Sequence, residues 1–313
     1  MANKDKIIYR EELKKYRFMK IPTVTALLPL FQSVLRQDYK NLKPSGDVVV
    51  EKFSIPSDGA KLPAALFSPI SANGKLPLIV FFHGGGFVYP CPSHEFDMLK
   101  NLTAKSGCRL LFVDYRLAPK YKYPTALDDC CAAYLWAREN AEKTRADLNN
   151  IIVAGDSAGG NLAAAVCLKL RDEKKPMPVC QILLYPFLDR DFDSESMKKY
   201  TSTPMCNAQA ARKFLKLYTG NLQDVGEDIS NGYLMPAEAK TLKGLPNAYI
   251  EIAEYDCLLS GGLKYAERLK REGVEVVVET VKGAMHGYDI AKGSKFLEDI
   301  INKRTEFILK NLK

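Results

Sequence analysis

Histidine is scarce in this chain: there are three among 313 residues, His83, His94 and His286. Any chemistry that needs an imidazole base must choose among them. Long apolar runs are lacking too. None reaches the ~18 residues of a membrane-spanning helix. The opening stretch, MANKDKIIYREELKKYRFMK, has neither an apolar h-region nor a small-residue cleavage site, so it does not read as a signal peptide. The net charge of +8 comes from lysines spread along the chain, with no basic stripe interleaved with aromatics. That pattern argues against a nucleic-acid partner and leaves a general attraction to anionic surfaces. Repeats and low-complexity segments are absent. Cys91-x-x-His94 has the look of a metal half-site, but no second half-site of suitable spacing follows, so neither metal nor cofactor is expected. Eight cysteines without a secretory signal, several of them in apolar stretches such as those around Cys167 and Cys180, read as buried reduced thiols in a cytoplasmic protein without a stable membrane anchor. Nothing in the sequence sets the oligomeric state, and a homodimer is compatible with it.

What is present is a strong core and a clear rhythm. Apolar residues make up 47% of the chain, which excludes a disordered protein. Residues 5–42 read as amphipathic helix interrupted at Pro22 and Pro29, with Val24, Leu27, Leu28, Phe31 and Leu35 on one apolar face. This piece precedes every strand, so it is expected to lie over the domain. The period then changes. Residues 48–55 and 62–67 flank the turn Pro56-Ser57-Asp58-Gly59 and predict an edge hairpin. Strands follow at 76–82, 109–114, 151–154, 179–185, 247–252 and 274–281, with helices near 94–106, 124–143, 162–170, 260–272 and 295–312 between and after them. Strands alternating with helices predict an α/β fold, a mostly parallel eight-stranded sheet covered on both faces. From Asp189 to about Lys243 the strand rhythm stops, and that stretch is too long for a plain loop, so it should carry its own helices. The expected division is a cap segment over 1–45, core over 46–188, a cap insertion over 189–243 and core again over 244–313.

The chain is organised around NIIVAGDSAGGNLAAAVCLKL, residues 150–170. A β-branched run leads into a turn with Ser157 at its apex, and good helix formers follow. Gly155 and Gly159 flank Ser157 at the spacing G-x-S-x-G, the nucleophile-elbow pattern, in the strand–turn–helix context that the pattern needs. Glycine fits there because the sharp turn leaves no room for β-carbons.

A serine hydroxyl needs a base, and the base needs an orienting group. In hydrolases of this chain order the acid and then the histidine follow the serine. His286, in Gly-Ala-Met-His-Gly-Tyr after the last strand, is the one histidine downstream of Ser157. It is expected to titrate near the ordinary value of about 6.5. The acid should lie just past the preceding strand. Asp256 is the preferred residue and Glu254 the alternative. His83-Gly84-Gly85-Gly86 ends a strand and matches the loop that offers backbone N–H groups to an oxyanion, with the N–H of Ala158 completing the set. In this reading His83 holds the loop shape.

These motifs together resemble the hormone-sensitive-lipase-like, arylacetamide-deacetylase-related carboxylesterases of the α/β-hydrolase superfamily. The resemblance runs over about residues 45–313. It rests on His83–Phe87, on Asp114-Tyr115-Arg116-Leu117-Ala118-Pro119, on residues 123–129, on Gly155–Gly160, on Tyr255-Asp256-Cys257-Leu258 and on His286-Gly287-Tyr288. It implies a triad of Ser157, Asp256 and His286, an oxyanion loop over Gly84–Gly86 and a helical cap. It implies a serine esterase acting on small, short-acyl esters, with an arylamide or N-acetyl deacetylase as the alternative within the same mechanism. A binding protein on this scaffold is the alternative from another class. Plant gibberellin receptors resemble the family but lack the histidine that is present here. The acid loop departs from the family's usual Asp-Pro-Leu-Arg-Asp: Cys257, Leu259 and Ser260 stand in place of Pro, Arg and the second Asp.

Overall fold

The alternating and continuous apolar runs become strands of a single sheet. The computed structural model describes residues 7–22, 25–222, 226 and 228–313. The strands are β1 (Val48–Ser57), β2 (Ala60–Pro69), β3 (Leu76–Phe82), β4 (Arg109–Val113), β5 (Ala146–Asp156), β6 (Cys180–Leu184), β7 (Asn247–Tyr255) and β8 (Val276–Met285). Their order across the sheet is β1-β2-β4-β3-β5-β6-β7-β8. β1 pairs antiparallel with β2, and β2 with β4, while every later pairing is parallel. The expected edge hairpin and the mostly parallel eight-stranded sheet are both found.

The helices are α1 (Leu28–Lys40), α2 (Ser93–Ser106), α3 (Thr125–Glu139), α4 (Ala141–Thr144), α5 (Ala158–Asp172), α6 (Glu195–Lys199), α7 (Ala208–Thr219), α8 (Leu259–Arg271) and α9 (Lys295–Asn311). Successive side chains of a strand point to opposite faces. On β5, Ile151 and Val153 enter the core shared with Leu127 of α3, Leu162 of α5 and Leu269 of α8. Ile152 and Ala154 enter the other, against Phe96 of α2 and Ile300 of α9. Central strands buried on both faces are why the sequence shows continuous apolar runs there.

Some boundaries differ from expectation. The elbow strand runs on through Gly155 to Asp156, and α5 begins at Ala158, not Leu162. Glycines weigh against both elements by propensity, but close approach of the backbones requires them. A β-carbon on Gly159 would collide with the carbonyl of Phe82. The N-terminal segment is not one interrupted helix. It has a short 3-10 turn at Glu11–Tyr16, another at Thr25–Leu27, and then α1. Pro29 sits in the first turn of α1, where its missing N–H would have had no partner in any case, so it starts the helix instead of breaking it. Val24 lies outside the described residues. Gln32 anchors α1 by donating to the carbonyls of Val88 (2.7 Å) and Ala118 (3.0 Å), and the Tyr39 hydroxyl donates to that of Ala64 (2.9 Å).

Candidate active site

The carboxyl ends of β3, β5, β7 and β8 open toward one cavity, as expected of an open α/β sheet. Ser157 follows β5 directly, with φ +52° in the left-handed region that a non-glycine residue seldom adopts. Its N–H donates to the carbonyl of Leu184 (2.8 Å), and its carbonyl accepts from Phe187 (3.0 Å). The turn is therefore pinned to the end of β6. α5 starts one residue on, so the first N–H groups of that helix, from Ala158, lie beside the serine without an intrahelical acceptor.

His286 follows β8 and Asp256 follows β7. His286 Nε2 lies 2.9 Å from Ser157 Oγ, and Nδ1 donates to Asp256 Oδ2 at 2.6 Å. Asp256 is fully buried, and its other oxygen accepts from the Leu258 N–H (2.9 Å). Burial works to lower the pKa of His286, but the adjacent Asp256 carboxylate outweighs it, with help from the side chains of Cys206 and Asp156, and raises it to about 9. The expectation of a value near 6.5 is corrected: a carboxylate at hydrogen-bond distance inside a dry site favours the imidazolium. Glu254, the alternative acid, points elsewhere. It is partly exposed, accepts from the Gly283 N–H (2.7 Å) and faces Lys282.

The glycine loop after β3 faces the serine from the other side. Gly85 and Gly86 have φ of +96° and +62°, and β-carbons there would strike Tyr89 and Phe214 respectively. Gly84 is turned differently, with its backbone hydrogen-bonded to the Asp156 carboxyl. His83 is fully buried and stacked on Tyr115 (4.3 Å between centroids), and its Nδ1 donates to the Gly84 carbonyl (2.8 Å). Burial holds its pKa down at about 4, so the ring is neutral.

The cavity measures about 400 Å³. Ser157 and His286 form part of its floor, with Gly85, Gly86, Glu95 and Asp156 close by. Ile21, Phe31, Val34 and Leu35 line it from the N-terminal segment, and Met205, Cys206, Ala211 and Phe214 from the 189–243 stretch. The lining is overwhelmingly apolar, which suits the hydrocarbon parts of a small organic substrate. All eight cysteines are free and buried, and among the described residues no three potential ligands gather to hold a metal.

Two buried assemblies escaped the sequence reading. Arg304 of α9 is fully buried and spans Glu251 of β7 (Nε to Oε2 3.1 Å) and Asp289 (Nη1 to Oδ1 3.1 Å). Tyr185 adds a hydrogen bond to Asp289 (2.8 Å), and Tyr288 one to Glu251. This network fastens the residues just after His286. A signal existed: Glu251 interrupts an apolar strand, and a buried charge must find a partner. The second assembly is Glu95 with Asp156, both buried beside Ser157.

The α/β-hydrolase-fold family matches residues 79–290. Esterase LipI of Mycobacterium tuberculosis is 36% identical over 218 residues, covering 69% of this chain and 67% of that protein. An arylesterase of Saccharolobus solfataricus is 36% identical over 229 residues, 73% of either chain. Among solved structures, a thermostable esterase from Pseudomonas putida superposes with a TM-score of 0.88 at 26% identity, over 98% of this chain and 99% of that one. No described helix is long and apolar enough to cross a membrane.

Proposed function

The chain belongs to the hormone-sensitive-lipase-like branch of the α/β-hydrolases and is a serine carboxylesterase, and from that premise we propose that Ser157, Asp256 and His286 carry the reaction. The observation behind this reading is the continuous chain of contacts, 2.9 Å and then 2.6 Å, from the Ser157 hydroxyl through His286 to a buried carboxylate. Ser157 Oγ attacks the ester carbonyl carbon while His286 Nε2 takes its proton. The imidazolium so formed is stabilised by Asp256. The pKa raised from 6.5 to about 9 makes the neutral imidazole a stronger base for that proton and steadies the imidazolium once it has formed. The negative charge on the carbonyl oxygen falls to the N–H groups of Gly85, Gly86 and Ala158, with Gly84 shaping the loop through Asp156. His286 then gives its proton to the leaving alcohol. An acyl group remains on Ser157 until water, activated by the same imidazole, releases it.

We assign residues 1–45 and 189–243 to a cap that selects small, short-chain acyl groups. The support is that side chains from both stretches wall a cavity of about 400 Å³ above the serine. A series of p-nitrophenyl esters from acetate to octanoate tests both parts. Wild type should prefer the short end, and Phe31→Ala and Phe214→Ala should each shift the optimum to longer chains. An unchanged profile in both variants would remove the cap assignment. Full activity in a folded Ser157→Ala protein would remove the nucleophile. A cytoplasmic location fits eight reduced, buried thiols. Recovery of the protein in a membrane or exported fraction would overturn it.

A further inference from the structure

Asp156 and Glu95 are two carboxyl groups, 6% and 5% exposed, that make no ion pair among the described residues. Asp156 immediately precedes Ser157, and Glu95 stands in the first turn of α2. Their side chains are hydrogen-bonded to each other. Asp156 Oδ1 and Glu95 Oε1 find no donor elsewhere among the described residues. Two carboxylates cannot bond one another, because both only accept. The contact is attractive when the pair keeps one proton between its oxygens.

The surroundings say where that proton sits. The Gly84 backbone bonds to Asp156, which favours its anion, and the nearby His286 acts in the same direction. Burial and the neighbouring Asp156 charge push Glu95 well above the usual carboxyl range, whereas Asp156 rises only to about 6. Around the pair, Asp289 faces both carboxyls and is itself held by Arg304. The Cys91 thiol, which donates to the Pro92 carbonyl (3.7 Å), lies beside Glu95, and Asp114 faces that thiol. The hydroxyls of Tyr115 and Tyr185 complete the shell. From α1, Asp38 is engaged with the Ser93 N–H and faces His94. No cation touches either carboxyl among the described residues, so the shared proton does the neutralising.

We propose that Glu95 is a positioning residue for the hydrolysis: as a neutral acid it donates to Asp156, holds that carboxylate against Gly84, and so fixes the glycine loop over Ser157 until alkaline pH removes the shared proton. This rests on the esterase reading above. Gly84 leaves no room for a β-carbon against Asp156, so the elbow and the loop are in direct contact at this point. Once both carboxyls are charged they repel, and the extra negative charge lies where the oxyanion must form. The loop then loosens and turnover falls.

The test is kcat and KM for p-nitrophenyl acetate from pH 5 to 10, in wild type, Glu95→Gln and Glu95→Leu, with spontaneous hydrolysis subtracted. The Gln amide donates to Asp156 at every pH. Its kcat should stay within about 3-fold of wild type at neutral pH, and its alkaline fall in activity should vanish or move up by at least one pH unit. Leu removes the donor. Its kcat should drop by about 10- to 100-fold with KM little changed, since only the transition state uses the loop's N–H groups. A purely structural role would leave the alkaline limb of the Gln variant where wild type has it. That result, or a wild type without an alkaline limb, overturns the proposal. If the Leu variant fails to fold, the Gln profile decides alone. An inactive wild type would instead overturn the esterase reading.

Discussion

His83 and His286 are both buried, both next to glycine and both placed just past the end of a strand in the same sheet, yet their pKa values are pushed in opposite directions. Burial presses His83 down to about 4. Its Nδ1 meets a carbonyl, and the nearest acid, Asp114, lies 3.8 Å from Nε2 with its own pKa pushed up by burial to about 6. His286 suffers the same burial but has Asp256 at 2.6 Å, and it rises to about 9. Desolvation by itself makes a histidine neutral. One ionised carboxylate at hydrogen-bond distance reverses the sign. The first ring is a wedge between Tyr115 and the glycine loop. The second is a base whose protonated form Asp256 stabilises.

The sharpest way to break this contrast is to remove each ring. His286→Ala should lower kcat by about 10⁴ to 10⁶, the range for loss of a triad member. His83→Gln can still donate to the Gly84 carbonyl, but it loses the stack on Tyr115. It should cost about 10- to 100-fold through the loop alone. Steady-state kinetics on folded variants measures both. Equal losses would mean that the two histidines do not differ in kind.

Removing the carboxylate comes next. Asp256→Asn should cost about 10⁴ in kcat. It should also pull the His286 midpoint from about 9 to 6.5 or below, because burial remains while its counterweight is gone. In wild type the acid limb of kcat/KM should accordingly lie well above pH 6.5. An NMR titration of the His286 ring in both proteins, together with the wild-type pH–rate profile, reads this directly. A midpoint unmoved by the substitution would show that Asp256 is not what raises it.

The same contrast predicts mirror-image stability. Between 6.5 and 9 the folded protein holds a proton on His286 that the unfolded chain has lost. Stability from this group is complete below 6.5 and is lost as pH rises toward 9. His83 works the other way. Between 6.5 and 4 the unfolded chain binds the proton and the folded one does not, so stability falls as pH falls through that window. Each contribution is about 3 kcal/mol at most. In urea melts, the gap between wild type and His83→Gln should change below pH 6.5 and stay constant above it. A gap that instead varies only above pH 6.5 would contradict the assignment.

Much of this was legible in the sequence. The strands announced themselves because a strand buried on both faces must be apolar throughout, as 76–82 is. The elbow was visible because only glycine fits where β5, α5 and β3 touch. Charges were harder. The pKa of His286 depends on a separation that no spacing reveals. The Arg304–Glu251–Asp289 network joins residues up to 53 positions apart. The Glu95–Asp156 pair joins a helix start to an elbow across the sheet. The extent of α1 was misjudged because Pro29 was weighed as a breaker, when at a helix start it breaks nothing.

The smallest expected effect concerns the acid that sequence alone left open. Glu254 and Asp256 lie two residues apart at the end of β7, and either could have been the partner of His286. The strand stops at Tyr255, so Asp256 turns into the site while Glu254 stays on the strand beside β8. There its Oε2 accepts the Gly283 N–H at 2.7 Å. A glutamine keeps a carbonyl oxygen in the same place and can accept the same bond. What is lost is an ion pair with Lys282, 3.5 Å away on a side chain 76% exposed, and such surface pairs contribute about 1 kcal/mol or less. Glu254→Gln should therefore keep kcat within about 3-fold, leave the His286 midpoint in place and change stability by no more than about 1 kcal/mol. A loss approaching that of Asp256→Asn, with the histidine midpoint falling in step, would move the role of the acid to Glu254.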